Sequence, residues 1–466
     1  MNLWNRWLSL VSDLRPACTR RATFLWMACA LAGFCVRPEF LGVTSIVRAL
    51  GLTPACYPRL LALFHSSALR LGALTAAWCR AAASSGASQV QLNGRWLLVA
   101  DGHKVRKSGR HMPGTKRLHQ TPSDAKPAFT FGHSLQVIAG LFHSNLSSVA
   151  VPLAGRIHEG LRDGCRDART QLDRLLELLL SLPLSAPILL LADAYYCKGG
   201  FLRTLLTNGH HLITRCKTNV VAHRPLGPRS QSPRRGRPRL YGAKVKLRSL
   251  FRNVHKWNSI PCPYESGSDT PLYVRAVDLV WRKAGRLVRF VLVVHPGRGR
   301  FILLSSDLTL SAAQIVQAYS LRMKIELTFK QAVHSLGAFF YHFWTLAFPR
   351  RRNPKGDVLL DQLPPESVRA VGRKFDAYNR FIQLALIAQG LLQLLAAMLP
   401  VDVDRHFGSW LRTRRPGRAL SEAIVSSALR NTLGEFLRVS RKAGIFAKFL
   451  TDRLDLTRTE GLRLAS

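Results

Sequence analysis

Carboxylates are scarce in this chain. Of 466 residues, 26 are Asp or Glu against 68 Lys or Arg, a formal net charge of +42. That surplus exceeds what solubility requires and points to a polyanionic partner, nucleic acid before anionic membrane. The shortage is also uneven. No acid occurs between Asp193 and Glu265, a run of 71 residues, and none from Gly102 to Ser123. Because the basic residues are spread along the whole chain, a neutral domain with one cationic tail is excluded.

Paired cysteines are missing too. The nine Cys contain no C-x-x-C pair and no His partner at zinc spacing, which leaves no ligand set for a structural zinc. Dispersed and odd in number, they read as small buried hydrophobes in a reducing compartment. Long apolar runs are few. Ala22–Val36 has fifteen uncharged residues, too short to span a bilayer and poorly shaped as a signal peptide. Phe381–Pro400 has twenty, which is long enough, but it carries Gln383, Gln389, Gly390 and Gln393 and lacks a Tyr/Trp belt. The expectation is a buried helix in a soluble, cytoplasmic protein with no membrane partner.

Against this background three acids stand out. Asp101 ends the apolar run Trp96–Ala100, and Asp193 ends Ile188–Ala192; both runs have the pattern of a short buried strand terminating in Ala-Asp. The third lies in Tyr319–Lys330. Ser311 and Gln314 form an S-x-x-Q capping box, so a helix is predicted to start near Ala312 and to run to Gly337. On it Tyr319, Arg322, Glu326 and Lys330 fall at i, i+3, i+7 and i+11, one helix face. Two readings are open. One is a solvated stripe with an Arg322–Glu326 pair, worth a few tenths of a kcal/mol. In the other, two strand-end carboxylates and a helix-borne Glu converge on two divalent cations, the arrangement for in-line displacement at a phosphodiester.

The order Asp101, Asp193, Glu326 resembles the acidic triad of insertion-sequence transposases of the DDE type. It is similar to the branch whose third acid lies in a Tyr-x2-Arg-x3-Glu-x6-Lys signature. Tyr319, Arg322 and Glu326 match that spacing, whereas the position seven after Glu326 is Val333, and Lys330 stands four after instead. The segment from Asp101 to Arg110 also looks like the sequence after the first Asp in part of this family. The resemblance implies an α/β, ribonuclease-H-like mixed sheet flanked by helices, interrupted by a β-rich insertion. It further implies Asp101, Asp193 and Glu326 as catalytic ligands of two Mg²⁺, with Mn²⁺ as a substitute. Tyr319, Arg322 and Lys330 would contact DNA, the partners would be double-stranded transposon ends and target, and a homodimer would form in synapsis. A bacterial, nucleoid-associated location follows from the same likeness.

Along the chain, residues 1–86 read as helical. Thr44, Gly51, Thr53 and Pro54 suggest two helices about a tight turn, the second over Ala55–Leu71: a DNA-binding helix-turn-helix or an ordinary hairpin of helices. Residues 87–220 read as three strands, helix, strand, helix, strand, the first part of the core, and the resemblance puts the first and fourth strands side by side. Residues 221–310 hold a basic loop and the β-rich insertion, with a hairpin turning at Lys283-Ala284-Gly285. Arg235, Arg237 and Arg239 lie in a Pro/Gly/Arg loop that either contacts phosphates or enters an A·T minor groove as an extended hook. Residues 311–345 complete the core, and 346–466 form a C-terminal helical region with helices at Ser367–Leu399 and Ser421–Arg441. Trp281 reads as core or hairpin packing, with a plug for a flipped-base gap as the alternative, and His158, His210, His211 and His334 as structural or phosphate-facing.

Three functions fit these features: a transposase, a metal-dependent nuclease that cuts without joining strands, and a DNA-binding protein that keeps the fold without catalysis. A basic membrane-surface protein would instead pellet with liposomes and show no salt-sensitive duplex binding.

Overall fold

The structure is a computed structural model, and it describes residues 3–40, 42–120, 127–144, 147–226, 240–264, 271–297, 299–350, 356–412, 414, 419–440 and 444–465. Arg235, Arg237 and Arg239 lie outside the described residues. The chain divides into two compact units. The first comprises Met1–Val90, Gly102–Leu184 and Ile325–Ser466, and the second Gln91–Asp101 with Ser185–Lys324.

The second unit is built on a mixed sheet. Strand β1 (Arg95–Arg106) begins here, and its first half is the apolar run seen in the sequence. The sheet also contains β4 (Ile188–Ala192), β5 (His211–Cys216), β6 (Pro271–Trp281), β7 (Arg286–His295) and β8 (Gly299–Ser305), in the order β6-β7-β8-β5-β4-β1. The pairs β1–β4 and β4–β5 are parallel, while β5–β8, β8–β7 and β7–β6 are antiparallel. Every residue of β4 is buried, as a central parallel strand covered on both faces must be. The hairpin β6–β7 turns at Arg282–Gly285, where Gly285 takes a positive φ of 72°. Across it, Asp278 accepts two hydrogen bonds from Arg289, at 2.8 and 2.7 Å. Since β8 pairs directly with β5, the strands expected as an insertion extend the core sheet itself.

In the first unit the second half of β1 neighbours β2 (Phe129–Ser144), which pairs antiparallel with β3 (Ser147–Ile157). Strand neighbours β3-β2-β1 in one unit and β1-β4-β5 in the other are those of a ribonuclease-H-like sheet. Among the described residues five α-helices precede β1, at Leu3–Ser12, Arg21–Val36, Gly42–Ala49, Cys56–His65 and Leu71–Ala83. The sequence predicted one helix over Ala55–Leu71. It stops at His65 instead, because Ser66 is extended and its N–H bonds back to the Leu63 carbonyl. Thr44 lies inside its helix rather than capping it, and Gly51 turns the chain with φ 58°.

The core helix of this unit is Pro365–Met398, which packs on β3 and on the helices Arg21–Val36, Cys56–His65 and Glu422–Ser440. It is long and apolar enough to cross a membrane, yet 89% of its most apolar window is buried inside the protein. Its glutamines explain the polarity noted in the sequence. Strand β3 presents backbone groups outward, and the helix satisfies them with side-chain amides. The Gln383 amide donates to the Leu153 carbonyl at 3.0 Å, and its oxygen accepts from Gly155 N–H at 3.3 Å. Asn379 accepts from Ile157 N–H at 3.0 Å, and the Trp78 indole donates to the Pro152 carbonyl at 2.7 Å. Pro152 has no N–H to lose, which suits an edge position. Glycines permit the close approach: a Cβ at Gly155 would strike Leu386, and one at Gly390 would strike Trp78. Farther along, Gln389 and Gln393 donate to the buried carboxylate of Glu422, whose pKa burial pushes up.

Gln383→Leu keeps the volume but takes their Gln383 partner from the Gly155 N–H, an Arg156 N–H and the Leu153 carbonyl. We expect a loss of roughly 1–3 kcal/mol of stability in urea unfolding, since an unmet buried polar group costs about that much. A variant as stable as the parent would show that the amide is not needed there.

Candidate active site

The register of β1 against β4 sets the site. Cα partners run from Trp96↔Ile188 to Ala100↔Ala192, so Asp101 and Asp193 are the next residues on two adjacent parallel strands. Neighbouring strands lie about 4.8 Å apart, which makes the two carboxylates neighbours. Asp101 does not end its strand as the sequence suggested: β1 continues to Arg106, and Asp101 marks the point where pairing with β4 stops. Asp193 does end β4. It caps the short 3₁₀ turn Ala194–Tyr196 by accepting from Tyr195 N–H at 2.8 Å, and its carbonyl accepts from the Thr214 hydroxyl on β5.

Two like charges side by side need a counter-charge, and Arg322 supplies it. Its guanidinium donates to Asp101 Oδ2 at 2.7 Å, with both side chains largely shielded from solvent at 14% and 17% exposure. The sequence reading did not foresee Asp101 as a partner of Arg322. Two tyrosines sense the same carboxylates. Burial holds the Tyr196 hydroxyl far above its ordinary range, with Asp101 and Asp193 adding to the effect. Burial likewise pushes Tyr319 up to about 12; Arg322 and Arg215 oppose this, and Asp193 and Asp101 reinforce it. Tyr196 follows Asp193 on the turn it caps, whereas Thr214 and Arg215 carried no sequence signal because they belong to the site only through the β4–β5 pairing.

The helix after β8 begins as predicted. Ser311 and Gln314 exchange both capping-box hydrogen bonds and start Ala312–Ser320. It does not run on to Gly337. Leu321, Arg322 and Lys324 N–H groups bond to the carbonyls three residues earlier, at 3.1, 3.1 and 3.0 Å, and a new helix opens at Met323 and ends at His334. The helix expected to run unbroken from Ala312 is therefore interrupted at Leu321–Arg322. Tyr319 and Arg322 belong to the second unit. Glu326 and Lys330 sit exposed on Met323–His334, in the part of that helix assigned to the first unit. Among the described residues, no three or more His, Cys, Asp and Glu side chains are gathered as a ready metal site. What the second unit assembles is a pair of carboxylates, one arginine and two tyrosines.

The second unit is thus a mixed α/β sheet with two aspartates level with each other on adjoining parallel strands. The chain belongs to the DDE superfamily endonucleases, whose family description matches residues 13–270, more than half its length. The matched span contains Asp101 and Asp193 and stops before Glu326. None of the curated proteins matches the chain. Among solved structures, a piggyBac transposase synaptic complex with hairpin DNA is similar at 11% identity, over 97% of this chain and 84% of that one, with a TM-score of 0.37. So distant a likeness transfers no residue roles.

The Asp101–Arg322 pair is open to a double-mutant cycle. Asp101→Asn, Arg322→Ala and the double variant, compared by urea unfolding, should give a coupling of roughly 1–3 kcal/mol for a half-buried contact pair. Additive losses would mean that solvent screens the pair.

Proposed function

We propose that the protein is a DNA transposase that cuts the ends of its element and joins them to target DNA by metal-dependent phosphoryl transfer. The observation that carries this reading is the Ala100↔Ala192 register, which makes Asp101 and Asp193 adjacent in a chain of charge +42. Family membership supports the endonuclease half; strand joining is our extension.

The donor set fits a hard divalent cation. Both acids are oxygen ligands, and Arg322 already places positive charge on Asp101, which marks the spot as one that must be neutralised. Asp101, Asp193 and Glu326 would hold Mg²⁺, with Mn²⁺ as an alternative. A bound pair of such ions supplies activation of the attacking hydroxyl and charge relief for the leaving oxygen. The remaining roles fall to the chain. Asp193 is fixed by its own cap and by Thr214, so its carboxylate needs little reordering. With Asp101 serving as a metal ligand, Arg322 would be free to turn its planar fork to a phosphate oxygen. Tyr319 stays protonated at working pH and therefore donates, rather than repels, at a phosphate oxygen. Lys330, exposed on its helix, adds a point charge toward the backbone. The acid-poor stretches after Asp101 and after Asp193 give duplex DNA a path free of like charge. Arg235, Arg237 and Arg239 would serve as phosphate contacts, the helices Gly42–Ala49 and Cys56–His65 are candidates for end binding, and two copies would synapse two ends.

Asp193→Asn should abolish Mg²⁺-dependent strand cleavage while leaving end binding within a few-fold of the parent. Wild-type cutting by this variant would sink the site assignment. Pre-cut ends offered with target DNA separate the readings further: joined product supports a transposase, and cleavage without joining identifies a nuclease. Duplex binding with no cleavage in either Mg²⁺ or Mn²⁺ would leave a DNA-binding protein that keeps only the fold.

A further inference from the structure

One group beside the site has no part in that chemistry. Cys197 ends the 3₁₀ turn that Asp193 caps, and Cys216 ends β5; their sulfurs lie 3.2 Å apart. The contact is fixed from several sides. Thr214, two residues before Cys216, donates its hydroxyl to the Asp193 carbonyl, and the Ala192↔Thr214 pairing locks β5 beside β4. Gly199 packs so tightly on the 282–285 hairpin turn that a Cβ there would collide with the Lys283 carbonyl. That contact keeps Lys283 close to the thiols.

The two sulfurs are not equivalent. Cys216 is buried, at 3% exposure, and both the Cys197 contact and burial push its thiol up. Cys197 is half-buried and its thiol is pulled down, first by the hydrogen bond with Cys216 and then, against burial, by Lys198 and Lys283. A partly accessible cysteine whose thiol is pulled down, in contact with a buried one, is the arrangement of an attacking and a resolving cysteine.

We propose that Cys197 and Cys216 are an oxidisable pair that closes to a disulfide with a peroxide-class oxidant and clamps the turn carrying Asp193. The Cys197 thiolate attacks the O–O bond of hydrogen peroxide; one oxygen stays as sulfenic acid and the other leaves as water after protonation. The Cys216 sulfur then attacks the sulfenic sulfur, the S–S bond forms, and the hydroxyl departs as a second water with the Cys216 proton. Two thiols are oxidised and one peroxide is reduced to two waters. The sulfurs need approach by only about 1.2 Å, since a disulfide bond measures about 2.05 Å. The cross-link would join the residue four after Asp193 to the strand that already holds its carbonyl.

The test uses the reduced full chain treated with one equivalent of hydrogen peroxide and digested without reductant. A peptide pair joined through Cys197 and Cys216 is expected. Cys216→Ser should stop at the sulfenic acid and give a dimedone adduct on Cys197, while Cys197→Ser should give neither product. Loss of the exposed Cys165 thiol first, or a dimedone adduct confined to Cys165, would overturn the assignment. Hydrogen exchange reads the clamp: the Tyr195 amide, which donates to Asp193, should exchange several-fold more slowly in the oxidised protein and recover with dithiothreitol. Equal exchange in both states would refute the clamp. Neither readout requires DNA cleavage, so a failure of the transposase reading leaves this test intact.

Discussion

Two aspartates held on adjacent strands repel each other, and the rest of the second unit is arranged around that fact. The β1–β4 register sets this, because a one-residue slip would turn Asp101 and Asp193 to opposite faces of the sheet. The sheet therefore fixes the carboxylates, and neutralisation must come from outside it. Arg322 provides this at the tightened turn between two helices, where a guanidinium reaches back to Asp101. Phenols that remain protonated complete the surroundings without adding negative charge.

Much of this was legible in the amino-acid order. Ile188–Ala192 matches its strand at both ends, and the capping box at Ser311 located the start of a helix to the residue. Both signals are local: an uninterrupted apolar run closed by an acid, and a pair of side chains that satisfy each other's backbone. The misreadings are equally physical. A continuous stripe from Tyr319 to Lys330 assumed that a helix, once begun, keeps its period, whereas the turn at Leu321–Arg322 adopts i→i+3 bonds. No propensity signals that break, because Leu and Arg are both good helix formers. Asp101 looked like a strand end because apolar residues stop there, but the backbone stays extended to Arg106 with alternating exposure. The residues gathered by pairing across strands, Thr214 and Arg215, cannot be read from a linear pattern at all.

The same logic accounts for the apolar stretch that resembles a membrane span. Its composition is that of lipid-facing helix except for Gln383, Gln389 and Gln393, and each of these has a specific partner in a sheet or a buried carboxylate. Polar residues within apolar sequence thus reported the neighbour the helix was meant for.

That neighbour is a strand rim. Left bare, β3 would offer a row of hydrogen-bonding groups to any passing chain, the usual seed of edge-to-edge aggregation. The amides of Asn379 and Gln383 and the indole of Trp78 close the rim from within one polypeptide. Any event that lifts the Pro365–Met398 helix uncovers a sticky edge and a greasy rod at once. Precipitation, rather than slow reversible opening, is then the natural fate of the heated protein.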